Sequence, residues 1–131
     1  MLRRVTMAAV VLTFLTVGLS NAQPPASPIK RTPLQNFDVP GTNYETVIGL
    51  AEIAANAAVD RHTHPGPESG YVLEGNLTLM VEGKPPLALK AGDSYQVPPV
   101  AIHEARSGDK GAKLIVTYVV EKGKPLASPA K

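Results

Sequence analysis

Apolar positions in the middle of this chain come in short runs of four to nine residues, each closed by turn-forming residues. Glu45 to Ile53 carries Val47, Ile48, Leu50 and Ile53, and Gly70 to Glu74 carries Tyr71, Val72 and Leu73. Asn76 to Glu82 alternates Leu77, Leu79 and Val81 with Thr78 and Met80, the period-two pattern of a strand with one buried face. Leu87 to Lys90, Ser94 to Val97, Ala101 to Arg106 and Lys113 to Val120 complete the set. Between them lie Glu74-Gly75-Asn76, Gly83-Lys84-Pro85, Ala91-Gly92-Asp93, Pro98-Pro99 and Ser107-Gly108-Asp109, all turn chemistry. Ala51 to Val59 is alanine-rich and resembles a helix in composition, but Gly49 and the β-branched residues before it predict one long strand. Seven or more short strands at close spacing predict an all-β sandwich or barrel. Leu114 to Val120 is apolar on both faces, which predicts a central strand.

The two ends of the 131-residue chain break this pattern. Arg3 and Arg4, the uncharged apolar run Val5 to Leu19, and the small-residue site Ser20-Asn21-Ala22 have the layout of a secretory signal peptide over residues 1–22. About 15 apolar residues fall short of the ~20 needed to span hydrocarbon, so a cleaved signal is expected rather than an anchor. The expected location is periplasmic or secreted, with no membrane partner after cleavage. No cysteine lies near the cut, which excludes a lipid-anchored form. Gln23 to Pro33 holds four prolines and no apolar period, and reads as a flexible leader extending over residues 23–35. Lys122 to Lys131, with Gly123, Pro125 and Pro129, reads as a flexible tail. One domain, residues 36–121, lies between them.

Loss of the signal changes the charge argument. Arg3 and Arg4 leave with it, so 13 Lys+Arg become 11 against 11 Asp+Glu. A neutral mature chain without a basic patch interleaved with aromatics argues against nucleic acid as a partner. The absence of cysteine rules out disulfides, thiol nucleophiles and thiolate ligands. A mature chain of about 109 residues buries only about two thirds of its unfolded surface, so a bound metal or a second subunit would help stabilise it.

The chain's three histidines are His62, His64 and His103, and the first two belong to His62-Thr63-His64-Pro65-Gly66-Pro67-Glu68. Alternation on a strand puts His62 and His64 on one side, where both imidazoles can reach one ion. With Glu68 and His103 they make an N,N,O,N set that suits one divalent ion per chain: Mn, Fe, Ni, Zn or Cu. Asp60 and Arg61, which flank the run, read as a solvated pair, and Glu104 as a surface charge pointing away from His103. Tyr95, Gln96, Met80 and Tyr118 read as core packing that could also line a cavity. No Ser-His-Asp arrangement is available, because every histidine is committed to metal.

These residues resemble the two motifs of the cupin superfamily. His62-x-His64-x-x-x-Glu68-x-x-x-x-x-x-Gly75 is similar to the first motif, and Gly92-x-x-x-x-x-Pro98 with His103 five residues later is similar to the second. Asn56 stands where a glycine commonly opens the first motif, Val100 where the second usually has glycine, and Ser107 where asparagine is usual. The resemblance covers Tyr44 to Val120. It implies a single cupin domain, a double-stranded β-helix or jelly-roll barrel, with His62, His64, Glu68 and His103 as metal ligands and Glu68 as the candidate catalytic base. Small cupins of this kind are often labelled quercetin-dioxygenase-like. The resemblance also implies a homodimer formed by strand exchange near Glu45 to Ile53. Three functions stay open: a metal-dependent dioxygenase, isomerase or lyase acting on a small organic molecule; a module that binds a small molecule or metal without turnover; and a barrel that uses metal only for stability.

Overall fold

A computed structural model describes residues 27–131. Residues 1–26, with the expected signal peptide and the start of the leader, lie outside the described residues. Eight strands follow in order: β1 Ile29–Asp38, β2 Tyr44–Ile53, β3 Ala58–Thr63, β4 Glu68–Val81, β5 Leu87–Lys90, β6 Ser94–Val97, β7 His103–Glu121 and β8 Ser128–Pro129. Among the described residues there is no helix, hence none long and apolar enough to cross a membrane.

All strand pairs are antiparallel, and the long strands β4 and β7 pair with each other along nearly their whole lengths. The first half of β4 and the second half of β7 belong to one layer, ordered β6-β4-β7-β2-β1. The second half of β4 and the first half of β7 belong to the other, ordered β5-β4-β7-β3-β8. The crossing is marked by register shifts at Val72/Glu74 and Gly75/Leu77. Gly75 permits it: its φ is +73°, and a Cβ there would run into the Gly111 carbonyl. Val72, Leu114 and Val116 from one layer meet Leu77, Leu79 and Ala105 from the other in the buried core. This is the jelly roll expected from the sequence.

Four expectations need correction. Gly70 to Glu74 and Asn76 to Glu82 are one strand, β4, and Ala101 to Arg106 joins Lys113 to Val120 in β7, because bulges rather than hairpins occupy the glycines between them. Ala51 to Val59 is not one strand: β2 ends at Ile53 and β3 begins at Ala58. Asn56 turns the chain there with φ +54°, and the buried Ser107 hydroxyl donates to the Ala54 carbonyl while accepting from the Ala57 amide. The leader becomes strand β1 from Ile29 onward; Pro33, the one proline in β1, is tolerated because β1 is an edge and Pro33 sits at a bulge. The tail is ordered too, with β8 against β3 and the Ala130 amide donating to the Arg61 carbonyl. One further point concerns the strand near Glu45 to Ile53. β1 and β7 cover both of its sides, so the edges of this layer are β1 and β6.

A candidate metal centre at the strand ends

The centre lies where β3 ends and β4 and β7 begin. On β3 the register slips between Val59 and His62, so Asp60 and Arg61 both face out and His62 turns inward, as Val59 does. His64 follows on the same side and is buried. Pro65-Gly66-Pro67 then carries the chain across to β4; Gly66 fits only because it lacks a Cβ, which would collide with the Val119 carbonyl. Glu68 is the first residue of β4, with Val97 and Tyr118 as cross-strand neighbours. His103 opens β7 between His62 and Val81. The turn before it is tied to the first motif by the Val100 amide, which donates to the His64 carbonyl at 2.9 Å. Val100 has φ +55°, so it keeps the backbone conformation suited to glycine despite its β-branched side chain.

The ligand atoms of His62, His64, Glu68 and His103 all lie within 4.8 Å of one another. Each imidazole has its Nδ1 against a backbone carbonyl: His62 against Asp60 at 2.7 Å, His64 against Leu126 at 2.6 Å and His103 against Ala101 at 2.9 Å. A carbonyl only accepts, so each Nδ1 carries the proton and each Nε2 presents a lone pair to the centre. Glu68 Oε2 lies 2.9 Å from His64 Nε2 and 3.2 Å from His103 Nε2. The first contact lies outside hydrogen-bond geometry, which leaves His64 Nε2 a buried polar atom without a hydrogen-bond partner. Three converging imidazole lone pairs, one of them otherwise unsatisfied, and a carboxylate fit a divalent cation.

The other carboxylate oxygen is held as well: the Tyr95 hydroxyl donates to Glu68 Oε1 at 2.7 Å. Burial by itself would raise the Glu68 pKa, but its close contacts with His103 and His64 and the Tyr95 hydrogen bond outweigh it and hold the carboxyl well below its usual range. Burial lowers the pKa of His62, assisted by the charges of His103 and His64. His103 also loses solvent, yet its contacts with Glu68 and the Ala101 carbonyl push it up. Tyr95 is pushed far above an ordinary phenol by burial and the adjacent Glu68 charge.

The structure thus brings together all four expected ligands. Glu104 pairs with Met80 on the outer face, away from the centre, and Arg61 pairs with Glu82 rather than with Asp60. Gln96 is exposed. Sequence reasoning missed Tyr95 as a partner of Glu68, and with it Gly70. Gly70 is Tyr95's cross-strand neighbour, and a Cβ on it would strike the Tyr95 ring. A glycine inside an alternating strand was the available signal. The Leu126 carbonyl and Arg31 were missed because both segments read as flexible.

A jelly roll with three imidazoles and a carboxylate at the mouth defines a class of metal-binding β-barrels. Residues 49–119 match the cupin domain family, and the chain belongs to that family. Among solved structures it is similar to the DMSP lyase DddQ from Ruegeria pomeroyi, with 20% identity and a TM-score of 0.67 over 79% of this chain and 52% of that one. The chain therefore spans about half of that lyase's length. An RmlC-like cupin from Shewanella frigidimarina has 28% identity and a TM-score of 0.60, covering 73% of this chain and 79% of its own. A Klebsiella pneumoniae protein with a double-stranded β-helix domain has 19% identity and a TM-score of 0.63, covering 83% and 90%. No curated protein matches the chain significantly.

Proposed function

We propose that this chain is a metal-dependent enzyme that acts on a small polar organic molecule, with lyase or isomerase chemistry ahead of dioxygenation. The observation that carries the reading is access. His62 lines both an interior pocket of about 40 Å³ and an open cleft of about 540 Å³, and His64 lines the cleft as well. A structural metal site is closed by its ligands, whereas this one is reachable from solvent. His62, His64, Glu68 and His103 would hold a divalent ion, which would supply Lewis acidity toward a substrate oxygen. Glu68 is the chain's candidate acceptor for a substrate proton, and the Tyr95 hydroxyl keeps it oriented. Its lowered pKa makes it a weak base until its contacts are loosened by substrate or metal. The fold shared with DddQ, itself a DMSP lyase, is the reason elimination is ranked first.

A second reading, binding without turnover, is favoured by Tyr95: its raised pKa makes it a poor base at neutral pH. The test is reconstitution of the metal-free protein with Mn(II), Fe(II), Ni(II), Zn(II) or Cu(II), followed by NMR of small hydroxy and oxo acids. Turnover with at least one metal, lost in His62→Ala, is expected. Ligand binding without turnover under every metal would establish the second reading instead. Action after export rests on residues 1–22; N-terminal sequencing of protein from the native compartment should begin at Gln23. Homodimerisation, for which the uncovered β1 edge is the best-suited surface, is tested by sedimentation.

A further inference from the structure

We propose that Arg31 recognises an anionic group of the substrate, so that the site takes small carboxylates; this deepens, and rests on, the reading of the metal centre as a substrate site. Arg31 lies on β1 opposite the buried, inward-facing Ala51, which puts its side chain on the inner face of the layer. It lines the interior pocket together with His62, Glu68 and His103, and it also lines the open cleft. One guanidinium therefore borders both the entrance and the ligand cluster.

The charge pattern around it points the same way. Lys30, one residue earlier and facing out, pairs with Glu52, and Arg61, Lys113, Lys122 and Lys124 each have a carboxylate partner. Arg31 is exposed yet forms no ion pair among the described residues; it shares this with Lys84, Lys90, Arg106 and Lys110 but differs from them in lining the interior pocket. The carboxylate of the pocket, Glu68, is already engaged by Tyr95 on one oxygen and by two imidazoles on the other. An inward cation without a counter-charge, beside a cluster built to hold a second cation, leaves the pocket with excess positive charge. A planar guanidinium matches a carboxylate through two parallel N–H···O bonds. The interior pocket of about 40 Å³ admits about three water-sized atoms, the size of a carboxylate group. Tyr118, packed on His64 with ring centroids 4.7 Å apart, lines the same pocket and offers a hydroxyl donor. Its phenol is kept protonated by burial and by the Glu68 charge, with Arg31 acting in the opposite sense.

The probes are propionate and propionamide, matched in size and different in charge, titrated into the Zn(II)-loaded protein and followed by protein NMR shifts. Propionate should bind about 10- to 100-fold more tightly than propionamide, the range for a hydrogen bond to a charged group. Arg31→Met should cut that preference by about 10-fold or more, leaving what the metal alone provides, and Arg31→Lys should keep more of it, while Zn(II) affinity and melting temperature stay at wild-type values. Equal binding of the two probes by the wild type, or an undiminished preference in Arg31→Met, overturns the proposal. Zn(II) titration separates the two readings: a wild type that fails to bind Zn(II) defeats the metal centre alone. The same probes on metal-free protein then decide Arg31 by the same criterion.

Discussion

The centre of the molecule and its two ends contribute to the site in different ways. β3, β4 and β7, with His64 just past the end of β3, supply the four expected ligands, and the inward-facing residues of these strands fill the core. β1 and the tail supply no ligand; they supply Arg31 at the pocket and the Leu126 carbonyl that holds His64 Nδ1. The central strands are fixed by burial on both layers, with Val72 and Leu114 almost wholly inaccessible. The ends are exposed along most of their length and held chiefly by edge pairing. Ligand identity therefore rests on the well-packed region, and ligand orientation and substrate choice rest partly on the weakly held one. Proteins place adjustable functions in such low-stability segments while the scaffold stays put.

The sharpest way to break this contrast is to remove a ligand from the central strands. His64→Ala should lower divalent-metal affinity by at least about 100-fold, since loss of an outer hydrogen-bond partner alone costs up to that much. Isothermal titration with Zn(II) measures it, and affinity within about threefold of wild type would remove His64 from the ligand set. Chelation gives the matching stability effect. A metal present at 100 times its dissociation constant contributes about 2.7 kcal/mol, so stripping it should lower Tm by roughly 10 to 20 °C. An unchanged melting curve would show that the fold does not use the ion.

Next in size is the support of Glu68. Gly70→Ala pushes a methyl group into the Tyr95 ring and should destabilise the protein by about 1–3 kcal/mol, as overpacking does. Tyr95→Phe keeps the ring and deletes only the hydroxyl. Metal affinity should fall by about 10-fold or more with little change in Tm. If Gly70→Ala melts like the wild type, Tyr95 does not occupy that seat in solution.

Truncation after Gly123 tests the other region. It removes β8 and the Leu126 carbonyl but leaves every ligand in place. Metal affinity should drop by about 10-fold, while the metal-free protein melts within a few degrees of wild type. A loss as large as that of His64→Ala would mean that the tail holds the barrel together, and the contrast between centre and ends would collapse.

The ligands were legible in the sequence because strand alternation and motif spacing act locally. His62 and His64 needed only a shared side, and the bulge at Asp60 and Arg61 kept it for them. The short strands were legible for the same reason. What could not be read is what depends on distant pairing. The proline content of residues 23–35 suggests a mobile segment, yet an edge strand needs only half of its amides, and β1 forms. Tyr95 became a partner of Glu68 only through its register opposite Gly70, and single-strand parity does not determine that register. The Leu126 carbonyl is a backbone group 62 residues from His64, and no side-chain pattern marks it.

Val100 and Asn56 extend the comparison to two turns with the same backbone sign. Both have positive φ, at positions where related motifs use glycine, but their side chains differ in what that conformation costs. Asparagine tolerates the left-handed region through local hydrogen bonding, whereas a β-branched residue carries about 1–2 kcal/mol of strain there. Val100 is 68% exposed, so replacing it removes almost no packing. Glycine gives back part of the gain through its freer unfolded chain, which leaves about 0.5–1 kcal/mol for Val100→Gly. Its melting temperature should rise by roughly 2 to 8 °C. Asn56→Gly should move it by less than a degree or two in either direction, on the order of a few tenths of a kcal/mol. Equal shifts in the two variants would show that Val100 relaxes out of the left-handed region in solution, and the Val100–His64 tie between the two motifs would have to be redrawn.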